Sequence, residues 1–203
     1  MGAVRVKICG VTRTEDALLA EAAGADAVGF IFAERSKRHV TLEAAREMSA
    51  ALGPFIARVG VFVDAPFEEV VACVRALRLD AVQLHGGEDA PYAAALQRHV
   101  RVVRAVGFSP ELDPAALSGY PADALLLDGL TPGSGERFSW AAAAAFRGWP
   151  RLLLAGGLTP DNVAAGIAAL RPYGVDVASG VELRPGVKDP RKVQDFVRAA
   201  KSL

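Results

Sequence analysis

The sequence predicts a single α/β domain, residues 1–203, folded as a (β/α)8 barrel of the TIM type. Three observations carry this. Eight short apolar runs recur along the chain, beginning near Val4, Ala27, Ala57, Ala81, Arg101, Ala124, Arg151 and Val175. Each run is apolar nearly throughout rather than alternating, as strands covered on both faces of a parallel sheet are. The stretches between them carry helix starts and stops.

The elements can be justified in order. After the first run, Thr12 followed by Glu15 reads as a capping box, whose side chains satisfy free N–H groups. Gly24 stops that helix before Val28-Gly29-Phe30-Ile31-Phe32. Thr41 caps the second helix and Gly53 follows it, ahead of Val59-Gly60-Val61-Phe62-Val63. In the third helix, Cys73 stands with Val70, Val71, Val74 and Leu77 on one face, a small buried hydrophobe. Later runs include Leu125-Leu126-Leu127 and Leu152-Leu153-Leu154. Thr159-Pro160 and Asp189-Pro190 each put an oxygen-bearing cap before Pro at the first helical position, where its missing N–H costs nothing. An open doubly wound sheet is the alternative, but it usually has fewer strands and a Gly-rich fingerprint after strand 1. Here Cys9-Gly10 stands in that place, and no linker or low-complexity tract divides the chain.

Composition narrows the function. Hydrophobic residues make up 52% of the chain, and Lys+Arg and Asp+Glu are 23 each. With no net charge and no run of one sign, nucleic acid is not an expected partner. No apolar stretch approaches the ~20 residues of a membrane span, and Met1 to Lys7 lacks the apolar core of a secretory signal, so no membrane is expected and the cytoplasm is the expected address. The two cysteines, Cys9 and Cys73, have no neighbours in metal-ligand spacing, so neither a disulfide framework nor a zinc site is expected. Arg outnumbers Lys 18 to 5, with one Asn and two Met. Heat adaptation and a GC-rich genome explain this equally well. Heat adaptation, to which association is a common route, makes a homodimer the expected assembly.

In such barrels the working residues gather where the strands end. Those ends are Lys7-Ile8-Cys9-Gly10, the basic loop Arg35-Ser36-Lys37-Arg38 after Phe32, Asp64, Gln83-Leu84-His85-Gly86, Arg104, Asp128, Ala155-Gly156-Gly157-Leu158, and Asp176 through Ser179-Gly180 to Glu182. Gly156-Gly157 and Ser179-Gly180 follow strands 7 and 8, where barrel enzymes often hold a phosphate. Glycines let backbone N–H groups approach an anion, and a helix opening at Thr159 would add positive charge. Glycines that merely make tight turns are the alternative for either loop, but two alike favour phosphate. A lone cysteine is usually buried packing, but Cys9 closes strand 1 at the mouth. Asp128 emerges from three leucines, where an unpaired carboxylate would be costly. A helix cap or a partner for an arginine is its other reading.

The ends assemble into a recognisable pattern. Over essentially its whole length the sequence resembles the phosphoribosylanthranilate isomerases. The matching stretches are Val6 to Gly10, Gly24 to Phe30, Ser36-Lys37-Arg38, Val59 to Val63 and Val82-Gln83-Leu84-His85-Gly86. Further on come Leu127-Asp128, Gly135 through Phe138 to Trp140, Gly156-Gly157-Leu158, and Asp176-Val177 with Ser179 to Glu182. The resemblance implies an Amadori rearrangement of N-(5-phosphoribosyl)anthranilate in tryptophan biosynthesis, without metal or organic cofactor. Carried over by position, Asp128 is the general acid and Cys9 the general base. Arg38 faces the anthranilate carboxylate, for which a guanidinium fork is suited, and Gly156, Gly157, Ser179 and Gly180 lie in the phosphate site. A thiolate base needs a positive neighbour. Lys7, two residues earlier on the same strand, points to the same side. It supports Cys9 or, equally, pairs with a carboxylate of another strand. Gln83 and His85 match the family without an assigned step, and a hydrogen bond in the barrel mouth is the expectation for His85. Ala178 replaces a common Ser, and the loop from Thr131 to Arg137 is short for the family.

Two rivals remain. A ribulose-phosphate epimerase would need paired Asp bases and metal-binding His residues at strand ends, of which only His85 occupies one. A noncatalytic sensor of phosphorylated metabolites would make Cys9 and Asp128 coincidental.

Overall fold

The computed structural model describes residues 4–129 and 138–202. Eight parallel strands close on themselves: β1 Arg5–Cys9, β2 Ala27–Ile31, β3 Ala57–Phe62, β4 Ala81–Leu84, β5 Arg101–Gly107, β6 Ala124–Asp128, β7 Leu152–Leu154 and β8 Gly174–Val177. Closure is made by β1 against β8, with Arg5 opposite Gly174 and Lys7 opposite Asp176. The eight expected runs are thus the eight barrel strands.

Among the described residues six α-helices lie between or after them: α1 Thr14–Ala22, α2 Leu42–Ala51, α3 Phe67–Leu77, α4 Ala90–Leu96, α5 Val163–Leu170 and α6 Pro190–Lys201. Their inner faces and the outer faces of the strands make the main core, with Val6, Ile8, Val28, Phe30, Val82, Val102 and Leu127 almost wholly buried. Cys73 belongs to this layer, on the face of α3 with Val70, Val71, Val74 and Leu77. A second, smaller apolar cluster fills the barrel interior, built on Val103, Ala105, Leu126 and Ala155.

The helix signals fared unevenly. Thr41 caps α2 by accepting the Ala44 N–H, and Asp189 caps α6 ahead of Pro190. Gly24, at φ +87°, follows the end of α1 as a stop. The capping box does not form. Arg13 is the N-cap residue of α1 and makes no side-chain cap bond, and the Thr12 hydroxyl donates instead to the Gly186 carbonyl. The helix expected to open at Thr159 begins at Val163 instead: Asn162 accepts the Thr159 N–H and donates to the Gly157 carbonyl, making a separate turn. Among the described residues, the units after β5 and β6 carry 3-10 turns, Pro114–Leu117 and Ala142–Phe146, and no α-helix. The second stops at Phe146, and Gly148, φ +80°, and Pro150 follow close behind, where a helix could not continue. Beyond β8 the chain makes another 3-10 turn, Ser179–Val181, and a hairpin the sequence did not suggest, β9 Glu182–Arg184 with β10 Val187–Lys188.

Candidate active site

A cavity of about 880 Å³ opens at the C-terminal ends of the strands. Cys9, Arg38, Gln83, His85, Asp128, Gly156, Gly157, Ser179 and Gly180 all line it, so nine of the ten expected site residues share one space. Lys7, the tenth, lies buried just beneath.

Lys7 extends into the barrel interior and meets two strands at once. Its ammonium donates to Gln83 Oε1 on β4 at 2.9 Å and to Asp176 Oδ1 on β8 at 3.0 Å. Because β1 and β4 are not neighbours, this meeting is possible only across the barrel axis. Lys7 is thus paired with a carboxylate of another strand and also lies next to the Cys9 thiol. Burial works against the Lys7 charge, but Asp176 and Cys9 outweigh it and hold its amine above the usual value. Burial pushes the Cys9 thiol up, the Asp176 carboxylate adds to this, and Lys7 and Lys188 oppose it. Cys9 thus has two positive neighbours already in place. Room for its sulfur comes from Gly29 on β2, where a Cβ would lie 2.7 Å from Cys9 Sγ.

Asp128 ends β6 with its Oδ1 accepting the Gly129 N–H at 2.7 Å. Its Oδ2 lies 3.5 Å from Nε2 of His85, whose Nδ1 is 3.1 Å from Nε2 of Gln83. Two strands, β7 and β8, separate β6 from β1 on the shorter way round, so Asp128 and Cys9 face one space from different sides.

Arg38 is buried, and its fork is engaged by Glu182: Nε donates to Oε1 at 2.8 Å and Nη2 to Oε2 at 2.7 Å. Glu182 also accepts from the Lys188 ammonium at 3.0 Å and the Gly186 N–H at 3.2 Å. Burial would raise the Glu182 carboxyl, but Arg38 and Lys188 hold it below the usual range. Lys188 is fully enclosed and donates further to the carbonyls of Cys9, at 2.7 Å, and Ala178. Burial lowers its amine value against the pull of Glu182. In the sequence Glu182 stands out only as part of a motif, and nothing there marks Lys188. Each meets its partners through the fold, and an isolated Lys before a helix cap looks like a surface residue.

The two glycine turns touch. A Cβ on Gly180 would overlap the Leu158 carbonyl oxygen, so the loops after β7 and β8 pack backbone against backbone. Gly156 and Gly157 both have positive φ, +80° and +62°. The first N–H groups of a 3-10 turn have no partner within it, and Ser179–Val181 is such a turn beside the cavity. Any anion here would be met by these loops rather than by a helix opening at Thr159.

Two further strand ends lie outside the site. Arg104 points outward, its guanidinium 3.9 Å from the centre of the Tyr120 ring. Asp64, in the left-handed region at φ +49°, accepts the Gly87 N–H and braces the loop after β4. The loop from Thr131 to Arg137, with Gly135, lies outside the described residues. Among the described residues no group of three His, Cys, Asp or Glu side chains could hold a metal ion. No described helix is long and apolar enough to cross a membrane.

Fold and site define the class: a (β/α)8-barrel enzyme with a thiol and a carboxyl group at opposed strand ends above paired glycine turns. The family model for N-(5'-phosphoribosyl)anthranilate (PRA) isomerase matches residues 6–199, and the chain belongs to that family. The N-(5'-phosphoribosyl)anthranilate isomerase of Geobacter sp. (strain M21) is 49% identical over 203 residues, 98% of either chain. A solved phosphoribosyl anthranilate isomerase in complex with reduced 1-(o-carboxyphenylamino)-1-deoxyribulose 5-phosphate is 43% identical, with a TM-score of 0.90 over 98% of this chain and 100% of that one. Another structure, of monomers generated from the dimeric isomerase of Thermotoga maritima, is 41% identical, with a TM-score of 0.89 and the same coverage.

Proposed function

We propose that this chain, as one catalytic unit of residues 1–203, converts N-(5-phosphoribosyl)anthranilate to 1-(2-carboxyphenylamino)-1-deoxyribulose 5-phosphate. This is the Amadori step of tryptophan biosynthesis. The observation that carries the reading is the placing of Cys9 and Asp128 in one cavity with the two glycine turns. The cavity's volume is within the range that encloses a ligand of this size.

The chemistry follows from the groups present. The phosphate is received by backbone around Gly156, Gly157, Ser179 and Gly180. The aromatic ring lies toward the apolar wall of Ile31, Val61, Val63 and Leu183. Arg38 receives the ring carboxylate. Glu182 occupies its Nε and one N–H of Nη2, so Nη1 and the rest of Nη2 remain as a second, end-on edge. Asp128 gives its proton to the furanose oxygen, the C1–O bond breaks, and the anilino nitrogen lone pair completes a C=N iminium. Cys9, as thiolate in the field of Lys7 and Lys188, takes the proton from C2 of the sugar. The C–H electrons form C1=C2 and neutralise the iminium, and the resulting enol amine tautomerises to the ketone. Each of the two groups supplies about 10²–10⁴-fold.

The experiment is to follow the fluorescence of phosphoribosylanthranilate in the presence of the purified protein, with and without EDTA. Equal, enzyme-dependent decay in both is expected. No turnover would leave a noncatalytic binder, and loss of turnover in EDTA would favour a metal-dependent reaction of the epimerase kind.

The assembly we infer is a homodimer. Phe55, on the loop between α2 and β3, is 98% exposed, an apolar surface that a second copy would cover. The relative of Thermotoga maritima is described as dimeric. The cytoplasm is the compartment this biosynthetic role implies.

A further inference from the structure

The polar groups under the barrel mouth form one directed chain. Lys7 carries only donors, so the Gln83 atom 2.9 Å from its ammonium is the carboxamide oxygen. That fixes the other end of the amide: the Gln83 NH₂ faces His85 Nδ1 at 3.1 Å. An NH₂ donates, so Nδ1 accepts, and the proton of the neutral imidazole must be on Nε2. Nε2 is buried, makes no hydrogen bond within strict geometry among the described residues, and lies 3.5 Å from Asp128 Oδ2. Gln83 is 1% exposed, so solvent does not compete for its orientation.

We propose that His85 is a positioning residue of the isomerase, held as its Nε2–H tautomer by Gln83 and Lys7 so that this N–H receives the Asp128 carboxylate once its proton has passed to the sugar oxygen. The inference rests on the acid role given to Asp128 above. The resting separation of 3.5 Å is long for a hydrogen bond. It shortens when Oδ2 becomes an anion, because charge-assisted bonds are shorter and about twice as strong. The contact is thus stronger in the transition state than in the ground state, which is the condition for raising turnover rather than affinity. The chain crosses the barrel from β1 through β4 to β6, so it also links the strand bearing the base to the strand bearing the acid.

Three measurements test this. The first is the ring ¹⁵N–¹H correlation of His85 in the wild-type protein, assigned by its loss in His85→Gln. The Nε2–H pattern is expected, and an Nδ1–H or doubly protonated pattern overturns the proposal. The second uses Gln83→Glu, which keeps the shape and the bond to Lys7 but offers His85 an acceptor. The tautomer should switch to Nδ1–H, and kcat should fall roughly 10- to 100-fold with KM little changed, the effect of one charge-assisted bond. His85→Gln, whose amide can reproduce the Nε2–H, should retain more turnover than His85→Asn, which cannot. A switched tautomer with undiminished kcat overturns the proposal. The tautomer is read without substrate. A correct tautomer in a protein that never turns over phosphoribosylanthranilate therefore removes the functional reading, and with it the role of His85, while leaving the hydrogen-bond chain as architecture.

Discussion

Replacing Glu182 by Gln removes a carboxylate that accepts four hydrogen bonds from Arg38, Lys188 and Gly186, and nothing else of the side chain's shape. Arg38 and Lys188 are both enclosed, so the substitution leaves two buried cations without their anion. The amide also turns an NH₂ toward groups that can only donate. Breaking a buried ion pair from one side costs about 3–5 kcal/mol. For a chain of this length each kcal/mol lowers the midpoint by roughly 2–4 °C, so Tm should fall by roughly 6–20 °C. The assay is thermal unfolding at pH 7, with Arg198→Ala as control. That residue belongs to the exposed Arg198–Asp195 pair, which contributes about 0–1 kcal/mol at most. The sign with pH follows from the same contacts. The Glu182 carboxyl is held below its ordinary value, so the stability it provides is complete above the unfolded value and is lost as pH falls through the folded one. The wild-type advantage over Glu182→Gln should therefore persist through neutral pH and shrink below about pH 4.5. A midpoint within 2 °C of wild type at pH 7 would refute the view that this carboxylate holds the mouth together.

The remaining expectations are shorter. Cys9→Ser and Asp128→Asn should each lose about 10²–10⁴-fold in turnover with little change in substrate affinity, whereas Arg38→Ala should raise KM more than it lowers kcat. Cys9→Ser retaining more than a tenth of wild-type turnover would remove the thiol from the base role. Inorganic phosphate should compete with substrate through the turns at Gly157 and Gly180, and a KM indifferent to saturating phosphate would place the anion elsewhere. In a Cys73→Ser background, alkylation of Cys9 should have a midpoint above that of a free thiol, because burial disfavours the thiolate; a midpoint at or below the free value would contradict this. Light scattering should give twice the 21.2 kDa of one chain, and a single-chain mass would exclude the dimer.

The strands were legible because apolar continuity over three to seven residues is a local signal, and their ends pointed to nearly all the residues that line the cavity. Local signals misled where a distant partner competed. Thr12 has the spacing of a capping box, but its hydroxyl finds the Gly186 carbonyl, 174 positions away. Thr159-Pro160 has the form of a helix start, yet Asn162 takes over the turn. The Arg38 fork, expected to face the anthranilate carboxylate, is engaged on one edge by Glu182. What makes that edge fixed is a carboxylate 144 positions on and a lysine beyond it, and no periodicity in the sequence connects them.

Closure of the barrel has a consequence for its synthesis. The strand carrying Cys9 pairs with β8, and Lys7 meets Asp176 across 169 positions. At a chain growth of about 5–20 residues per second, β1 leaves the ribosome roughly 10–30 s before that partner exists. Through that interval one edge of β1 has no partner strand, and the buried side chains Val6 and Ile8 are only partly covered. The amino group of Lys188, which bonds the Cys9 carbonyl, emerges later still. The nascent chain therefore presents its first strand as an open edge until almost the last of its elements has been made, and that edge is where a holding chaperone would be expected to act.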